Sequence, residues 1–304
     1  MKRLFLILFP FIPVLVLAQE YLPVSSGEII KHTYYTLSYN EAHEQANWVS
    51  YHLTSAMEKG KEKRTDNFRT DPSVSTGSAT LSDYKGSGYD RGHLCPAADM
   101  KLNHTAMSET FFLSNMSPQA PEFNRGIWKE LEETVRDWAM QDGDIYVVSG
   151  PVFKDNKGAI GTDRVTVPGY YYKVIYDPHG QGKMIALLLP NGKGTKPLSR
   201  YEVSVDSIEA LTGIDFFPEL PDNREALLES SADFSAWQFP SLLAGKPATP
   251  GKQSPPVSAS KTIPANAAGY YHGHKLYNGP RGGCYYINKN GNKTYVARGY
   301  CNCL

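Results

Sequence analysis

Several features of common protein classes are missing from this sequence. After the N-terminal segment no apolar run is long enough to cross a bilayer, which excludes a multi-pass membrane protein. The sequence has no internal repeat, and its glycine turn at 191–194 lacks the spacing of a phosphate-binding P-loop. It has only four cysteines and no C-x-x-C pair, and its 31 basic residues balance its 31 acidic ones.

What is present indicates a folded protein with room for more than one unit. Its 304 residues can bury a full core, and 41% hydrophobic residues exclude wholesale disorder. Twenty tyrosines and 26 glycines favour a fold rich in strands and loops over a helical bundle.

The N-terminus has the pattern of a secretory signal peptide. Lys2 and Arg3 precede an apolar run at 4–17, and small residues end at Ala18. We predict cleavage after Ala18, so that residues 1–18 are a signal peptide and the protein is exported (secreted, periplasmic or on the cell surface), with no transmembrane segment after cleavage. An uncleaved membrane anchor is the alternative, although the run is shorter than the ~20 residues of a span. No cysteine follows the cut, which argues against a lipoprotein.

A change in composition near residue 241 divides the mature chain. Residues 19–240 hold 21 Lys or Arg and 31 Asp or Glu, whereas residues 241–304 hold eight basic residues and no acidic one. Residues 241–268 are rich in Pro, Ser and Ala and predict an extended linker. We therefore predict an acidic body at 19–240 and a basic tail. The tail charge either meets an anionic polymer or surface or is only solvated.

Residues 269–304 predict a small basic β module. Cys284-Tyr285-Tyr286-Ile287 and Thr294-Tyr295-Val296 have strand character and flank an Asn-Gly turn. A disulfide from Cys284 to Cys301 or Cys303 would stabilise so small a unit. A zinc site with His272 and His274 is the alternative, but Cys301-Asn302-Cys303 is too tight for the usual ligand spacing.

The run at 87–96 carries the string Asp90-Arg91-Gly92-His93. A neutral imidazole can take a proton from water, a nearby guanidinium can pair with a phosphate, and Gly92 lets the backbone turn between them. Taken alone, the four letters fit a structural histidine equally well.

The residues that follow predict a strand at 110–115, a loop at 116–119 and then a helix. The helix has one apolar face, at Ile127, Leu131, Val135 and Trp138. Asn124 is near its start, and Glu132 is two turns on, about 80° round the axis. An amide oxygen and a carboxylate so placed can hold a hard cation and its waters. The alternatives are an ordinary N-cap for Asn124 and a surface ion pair for Glu132.

With these motifs in order, the chain resembles the secreted, sugar-non-specific DNA/RNA endonucleases of the His-Me finger (ββα-metal) type. The resemblance covers about residues 27–240. Segments 34–40 and 47–49 resemble the family's opening strand and helix, and further matching segments are 67–72, 89–94, 113–119, 124–132, 145–153, 167–173 and 211–217. The resemblance implies an α+β fold: a mostly antiparallel central sheet with packed helices and a ββα-metal active-site element.

The resemblance also implies a role for each site residue. His93 would be the general base, Arg91 would neutralise charge in the transition state, and Asn115 would orient the histidine or the waters of the metal. Asn124 would be the direct ligand of one Mg²⁺, with Mn²⁺ and Ca²⁺ as alternatives, and Glu132 would hold a water of that ion. Separately from the resemblance, an acidic body needs a local basic cleft to bind a polyanion, and Arg69, Arg125 and Lys129, with Arg91, could supply it.

The resemblance thus implies a divalent-metal-dependent endonuclease that acts on DNA and RNA with little sequence specificity and leaves 5′-phosphate ends. Two alternatives stay open. The chain could be an extracellular binding protein that keeps the fold without the chemistry, or a phosphodiesterase for smaller esters.

Overall fold

The computed structural model describes residues 21–237 and four strands between residues 267 and 296. The predicted signal peptide and most of the linker lie outside the described residues. So do Cys301, Cys303 and the side chain of Cys284, and with them the disulfide prediction. No helix in the described part of the chain is long and apolar enough to span a membrane.

A seven-stranded, fully antiparallel sheet organises residues 21–237. Its order is β1-β2-β3-β6-β9-β10-β11, and its strands are β1 (Glu28–Lys31), β2 (Thr36–Asn40), β3 (Gln45–Leu53), β6 (Ile145–Val152), β9 (Tyr170–Asp177), β10 (Lys183–Pro190) and β11 (Glu202–Val203). Two small pairs accompany it: β4 (Asp90–His93) with β5 (Met116–Gln119), and β7 (Ala159–Ile160) with β8 (Val165–Thr166). The predicted α+β class with a central antiparallel sheet is confirmed.

Helices cover both faces of the large sheet. They are α1 (Ser55–Glu58), α2 (Leu81–Tyr84), α3 (His104–Glu109), α4 (Lys129–Asp142), α5 (Val205–Thr212) and α6 (Asp222–Glu229). Single 3₁₀ turns lie at Ala97–Asp99, Leu113–Asn115, Leu198–Arg200 and Phe234–Trp237.

The sheet separates two hydrophobic cores, because successive side chains of a strand point to opposite faces. Val147 and Ile175 belong to the core under α4, whereas Val148 and Val174 belong to the core under α5 and α6. The predicted apolar face is confirmed, since Ile127 just before α4 and Leu131, Val135 and Trp138 within it are all buried.

Three local predictions are wrong. Residues 110–115 form turns rather than a strand, and the predicted loop at 116–119 is strand β5. The Asn115 side chain closes the turn by donating to the carbonyl of Thr110, and a two-stranded pair has a free edge that tolerates Pro118. Residues 47–49 lie in β3, not in a helix.

The turn at 113–115 is held by a buried carboxylate. Asp71 accepts a hydrogen bond from the hydroxyl of Ser114 (2.5 Å) and from the backbone amide of Ser73 (2.9 Å), and it lies 2.9 Å from Nε2 of His32. Burial alone would raise the pKa of Asp71, but these hydrogen bonds hold it below its usual value. Ionised Asp71 therefore stabilises the fold above its unfolded pKa of about 3.9, and this contribution is lost as pH falls through the lower folded value.

We expect Asp71→Asn to lower the free energy of unfolding by about 2–3 kcal/mol at pH 7, because charged hydrogen bonds are lost. The difference from the parent should shrink below about pH 4. Urea unfolding at pH 7 and pH 3 measures it. Glu122→Gln, at an exposed acid with no capping bond, is the control. A gap of equal size at both pH values would contradict this account.

The four strands near the C-terminus form a separate antiparallel sheet in chain order. They are β12 (Ala267–Tyr271), β13 (His274–Asn278), β14 (Cys284–Ile287) and β15 (Lys293–Val296). The predicted strands at 284–287 and 294–296 are present and pair with each other. The ligand of this sheet stays a prediction.

Candidate active site

Strand β4 carries Asp90, Arg91, Gly92 and His93 and pairs with β5, so that Gly92 faces Ser117 and His93 faces Met116. Three side chains fasten β5 beside the large sheet. Ser117 donates to Gln45 of β3 (2.5 Å), while Tyr171 of β9 and Asn191 donate to the carbonyl of Pro118 (2.9 and 3.0 Å).

The glycine in this strand is required by packing. A Cβ on Gly92 would lie 2.1 Å from the side chain of Gln119. Gln119 is fully buried, and neither amide atom has a hydrogen-bond partner among the described residues. Sequence reasoning did not single out Gln119, because nothing in the local pattern places its side chain under the Asp-Arg-Gly-His strand.

The imidazole of His93 is enclosed by aromatic rings. It lies edge-on to Phe111 with 5.1 Å between ring centroids, and 5.8 Å from Phe68, and the residue is only 9% exposed. Nε2 is buried and has no hydrogen-bond partner among the described residues. The indole of Trp128 donates to the His93 carbonyl (3.3 Å), which ties β4 to the start of α4.

Two arginines flank the histidine pocket. Arg91 lies over the ring of Phe68 (4.2 Å to the centroid), and Arg64 lies over Phe111 (4.8 Å). Burial, followed by repulsion from Arg64 and Arg91, lowers the pKa of His93 to about 3. His93 is therefore neutral at pH 7 and can accept a proton. Arg64 was missed, because it ends a Lys-rich run that reads as a solvated surface and only the fold carries it over Phe111.

Asn124 belongs to an irregular turn wider than an α-helix, Phe123–Trp128, in which Gly126 leaves helical geometry. Its Nδ2 donates to Asp90 (2.9 Å), and Arg125 donates to both oxygens of the same carboxylate (2.8 and 2.6 Å). Burial opposes ionisation of Asp90, but the bonds from Arg125 and Asn124 lower its pKa. Because the amide nitrogen is committed to Asp90, the amide oxygen of Asn124 is left for a ligand.

Glu132 lies one helical turn into α4, in a mixed buried charge group. Burial raises its pKa to about 7, Lys173 opposes this effect and Asp99 adds to it. Lys173 is fully buried and donates to Ser149 (2.5 Å), while Arg136 pairs with Asp99 (2.8 Å). No protein hydrogen bond to the Glu132 carboxylate is found in the described part of the chain.

Asn115 is fully committed to the backbone. Its side-chain oxygen accepts from the amide of Cys95 (2.9 Å), and its nitrogen donates to the carbonyls of Cys95 (3.0 Å) and Thr110 (2.8 Å). The structure therefore makes Asn115 a positioning residue that fixes the chain two residues beyond His93.

The predicted substrate-binding cations differ in their surroundings. Arg69 donates to the carbonyls of Asn67 and Ser108 and stacks on Phe112 (3.9 Å), so its guanidinium is already engaged. Lys129 is exposed and pairs with Glu133 one turn along (3.8 Å). Arg125, also exposed, is held by Asp90 at the site. The structure thus gathers His93, Arg91, Asn124 and Arg125 around β4.

Comparison with known proteins identifies the family of this chain. The sequence profile of the DNA/RNA non-specific endonuclease family matches residues 16–223, which is more than half of the chain. The chain belongs to that family. It is therefore a nonspecific DNA/RNA endonuclease, with nucleic acid as its substrate class.

Relatives of this endonuclease are named nucleases across distant organisms. Nuclease C1 of Cunninghamella echinulata is 38% identical over 216 residues, which covers 65% of this chain and 86% of the relative. The mitochondrial endonuclease G of Homo sapiens is 35% identical over 202 residues, 61% of this chain and 68% of that protein. A crystal structure of an EndoG/EndoGI complex, described as showing the mechanism of EndoG inhibition, superposes with a TM-score of 0.61 at 30% identity, covering 66% of this chain and 89% of that chain.

The contact between Asp90 and Asn124 gives a test of this endonuclease. We expect Asp90→Asn to raise the divalent-ion concentration needed for half-maximal cleavage about 10–100-fold, because the amide of Asn124 loses its charged anchor. The rate at saturating ion should change much less. Ion titrations of plasmid cleavage measure both quantities. Asp222→Asn, the same substitution at an exposed position of α6, should behave as the parent. An unchanged ion requirement in Asp90→Asn would show that the contact does not orient Asn124.

Proposed function

We propose that this endonuclease hydrolyses phosphodiester bonds of DNA and RNA with the help of a divalent metal ion, and that it leaves 5′-phosphate and 3′-hydroxyl ends. One observation carries the proposal. A neutral, desolvated His93 sits between two arginines, on the same short strand whose Asp90 holds Asn124.

The residues present fit a hard metal ion. Asn124 offers an amide oxygen whose nitrogen is already held by Asp90, and Glu132 offers a carboxylate without a protein donor in the described part of the chain. Oxygen ligands of this kind suit Mg²⁺, with Mn²⁺ and Ca²⁺ as alternatives. When bound, the ion supplies charge neutralisation at the scissile phosphate and support for the leaving oxygen. The two strands β4 and β5 with α4 would then form the ββα-metal element.

His93 supplies the base. Because Nε2 is buried away from water, the proton of the attacking water would pass to Nδ1. The low pKa keeps the ring neutral before substrate binds, and an entering phosphate anion would raise that pKa by offsetting the two arginines. The same phosphate would contact Arg64 and Arg91. These two arginines would neutralise the negative charge that grows as the nucleophile attacks.

A cavity beside β4 offers room for the polymer. It has a volume of about 330 Å³ and is lined by Tyr84, Lys85, Tyr89, Asp90 and Arg91, together with Leu81. Its aromatic and basic lining suits a nucleotide next to the cleaved bond. Lys85 and Arg91 would supply local positive charge here on the acidic body, since long-range charge affects encounter more than chemistry.

We also propose export, from the signal-peptide pattern at residues 1–18, and tethering of anionic polymer by the basic tail. Several relatives are named mitochondrial, and export would set this chain apart from them in location. Deleting residues 241–304 should raise KM for long DNA and leave short duplexes unaffected, and an equal KM on long DNA would remove the tethering proposal.

A nicking assay tests the central proposal. Plasmid DNA and structured RNA should both be cut with Mg²⁺ and left intact with EDTA, and ³²P end analysis should find 5′-phosphates. A small chromogenic phosphodiester should be a poor substrate, because an open cleft binds it weakly. Cleavage that persists in EDTA, or products with 3′-phosphates, would overturn the proposal.

A further inference from the structure

We propose a second cation site, for Ca²⁺, formed by Asp206, Glu209 and Glu229 on the sheet face opposite the catalytic residues. One oxygen from each carboxylate lies within 4.8 Å of the others. Asp206 and Glu209 are one turn apart on α5, and Glu229 is the last residue of α6.

The position of these residues separates them from catalysis. Both helices pack on β10, and Ile208 and Leu228 belong to the core on that face, with Val148 and Val174 of the sheet. Trp128 and Leu131, which support the catalytic residues, belong to the core on the other face. The catalytic mechanism therefore uses none of the three carboxylates.

A buried, unpartnered oxygen points to a ligand at this position. Glu229 is 5% exposed, and its Oε1 has no hydrogen-bond partner among the described residues. A buried polar atom left without a partner costs about 1–3 kcal/mol, more when it is charged. One carboxylate oxygen of Glu209 accepts a hydrogen bond from the backbone amide of Phe216 (2.9 Å). This bond fixes the side chain and leaves the other oxygen for a cation.

The surroundings lack compensating charge. Between residues 205 and 229 the sequence has seven acidic residues and one basic residue, Arg224. None of the ion pairs found in the described part of the chain involves any of the seven. Burial, with repulsion from Glu209, Glu225 and Asp206, raises the pKa of Glu229 to about 8. A divalent cation would convert this repulsion into attraction.

The spacing and the ligands favour Ca²⁺. Calcium takes six to eight oxygen ligands at about 2.3–2.6 Å in flexible geometry, so two oxygens up to about 4.8 Å apart can share one ion. Magnesium needs bonds of about 2.1 Å and near-ideal octahedral geometry. The bound ion would hold the end of α6 against α5, and its role would be structural.

The test uses the full chain with Asn124→Ala, so that ions at the catalytic residues do not contribute. After EDTA removal, Ca²⁺ binding is measured by calorimetry, and Tm is measured with and without Ca²⁺. We expect one bound Ca²⁺ and a rise in Tm of about 3 °C at tenfold excess over Kd. Adding Glu229→Gln should weaken binding about tenfold or more and remove the rise in Tm. Adding Glu225→Gln, the same charge change one turn earlier on α6, should keep both.

Two results would overturn the proposal. One is no Ca²⁺ bound by the Asn124→Ala chain at about 1 mM, a concentration that weak extracellular sites bind. The other is equal Ca²⁺ binding in the Glu229→Gln and Glu225→Gln chains. If Glu229→Gln lowers Tm in EDTA, the exposed Asp206→Asn replaces it and must lose Ca²⁺ binding in the same way. Because the readout is binding and Tm, failure of the proposed catalysis would leave this test intact.

Discussion

Replacing His93 by alanine is expected to lower kcat for DNA cleavage about 10²–10⁴-fold, the range that a positioned general base contributes. The strand pairing of β4 does not depend on the imidazole, so DNA binding should stay within a few-fold of the parent. Single-turnover cleavage at saturating Mg²⁺ measures the chemical step, and filter binding in EDTA measures affinity.

His104→Ala is the matched control, since His104 is an exposed residue at the first position of α3. It should cut DNA at the parental rate. A kcat for His93→Ala within tenfold of the parent would remove His93 from the chemistry, provided that circular dichroism shows both variants folded.

Asn124→Ala is expected to have the second large effect. Loss of the Asn124 amide oxygen, the proposed ligand, should lower cleavage about 10³-fold at 1 mM Mg²⁺, because a metal ion supplies several kcal/mol to the transition state. The helix that follows should persist, since its buried face is unchanged. Cleavage rates over a Mg²⁺ and Mn²⁺ series provide the measurement.

Asn124→Asp separates the ligand from its anchor. Aspartate keeps an oxygen but loses the donor to Asp90 and places two carboxylates side by side, so it should recover activity only at high ion concentration. Asn223→Ala, at an exposed position of α6, should act as the parent. Parental activity of Asn124→Ala at low Mg²⁺ would exclude Asn124 as the ligand.

Much of the fold could be predicted because the sequence pattern and the packing agree. The apolar positions 127, 131, 135 and 138 recur at helical spacing and all are buried, and the segments 284–287 and 294–296 pair as β14 and β15. The errors fall at 47–49 and at 110–119. In the second segment the Asn115 side chain bonds backbone groups as a strand partner would. The two bonds between Asn115 and Cys95 span 20 positions of the chain and leave no local periodicity.

The candidate site, like the fold, could be predicted only where local sequence motifs mark its residues. Asp-Arg-Gly-His, Asn124 and Glu132 lie in motifs that resemblance can align. The places of Arg64 and Gln119 at the site depend on the ring or strand that packs against each of them. No sequence motif indicates those contacts. Arg69 is the opposite case. Its charge predicted a substrate-binding role, but in the fold its guanidinium donates to two backbone carbonyls.

The catalytic segment leaves the large sheet after Leu53 and returns at Ile145, and these two residues face each other on neighbouring strands. That pairing joins positions far apart in the chain, and such contacts form slowly. A newly synthesised chain therefore contains all of the candidate catalytic residues before it has the folded site that positions them. Cleavage activity should therefore appear only late in folding, once this long-range pairing has formed.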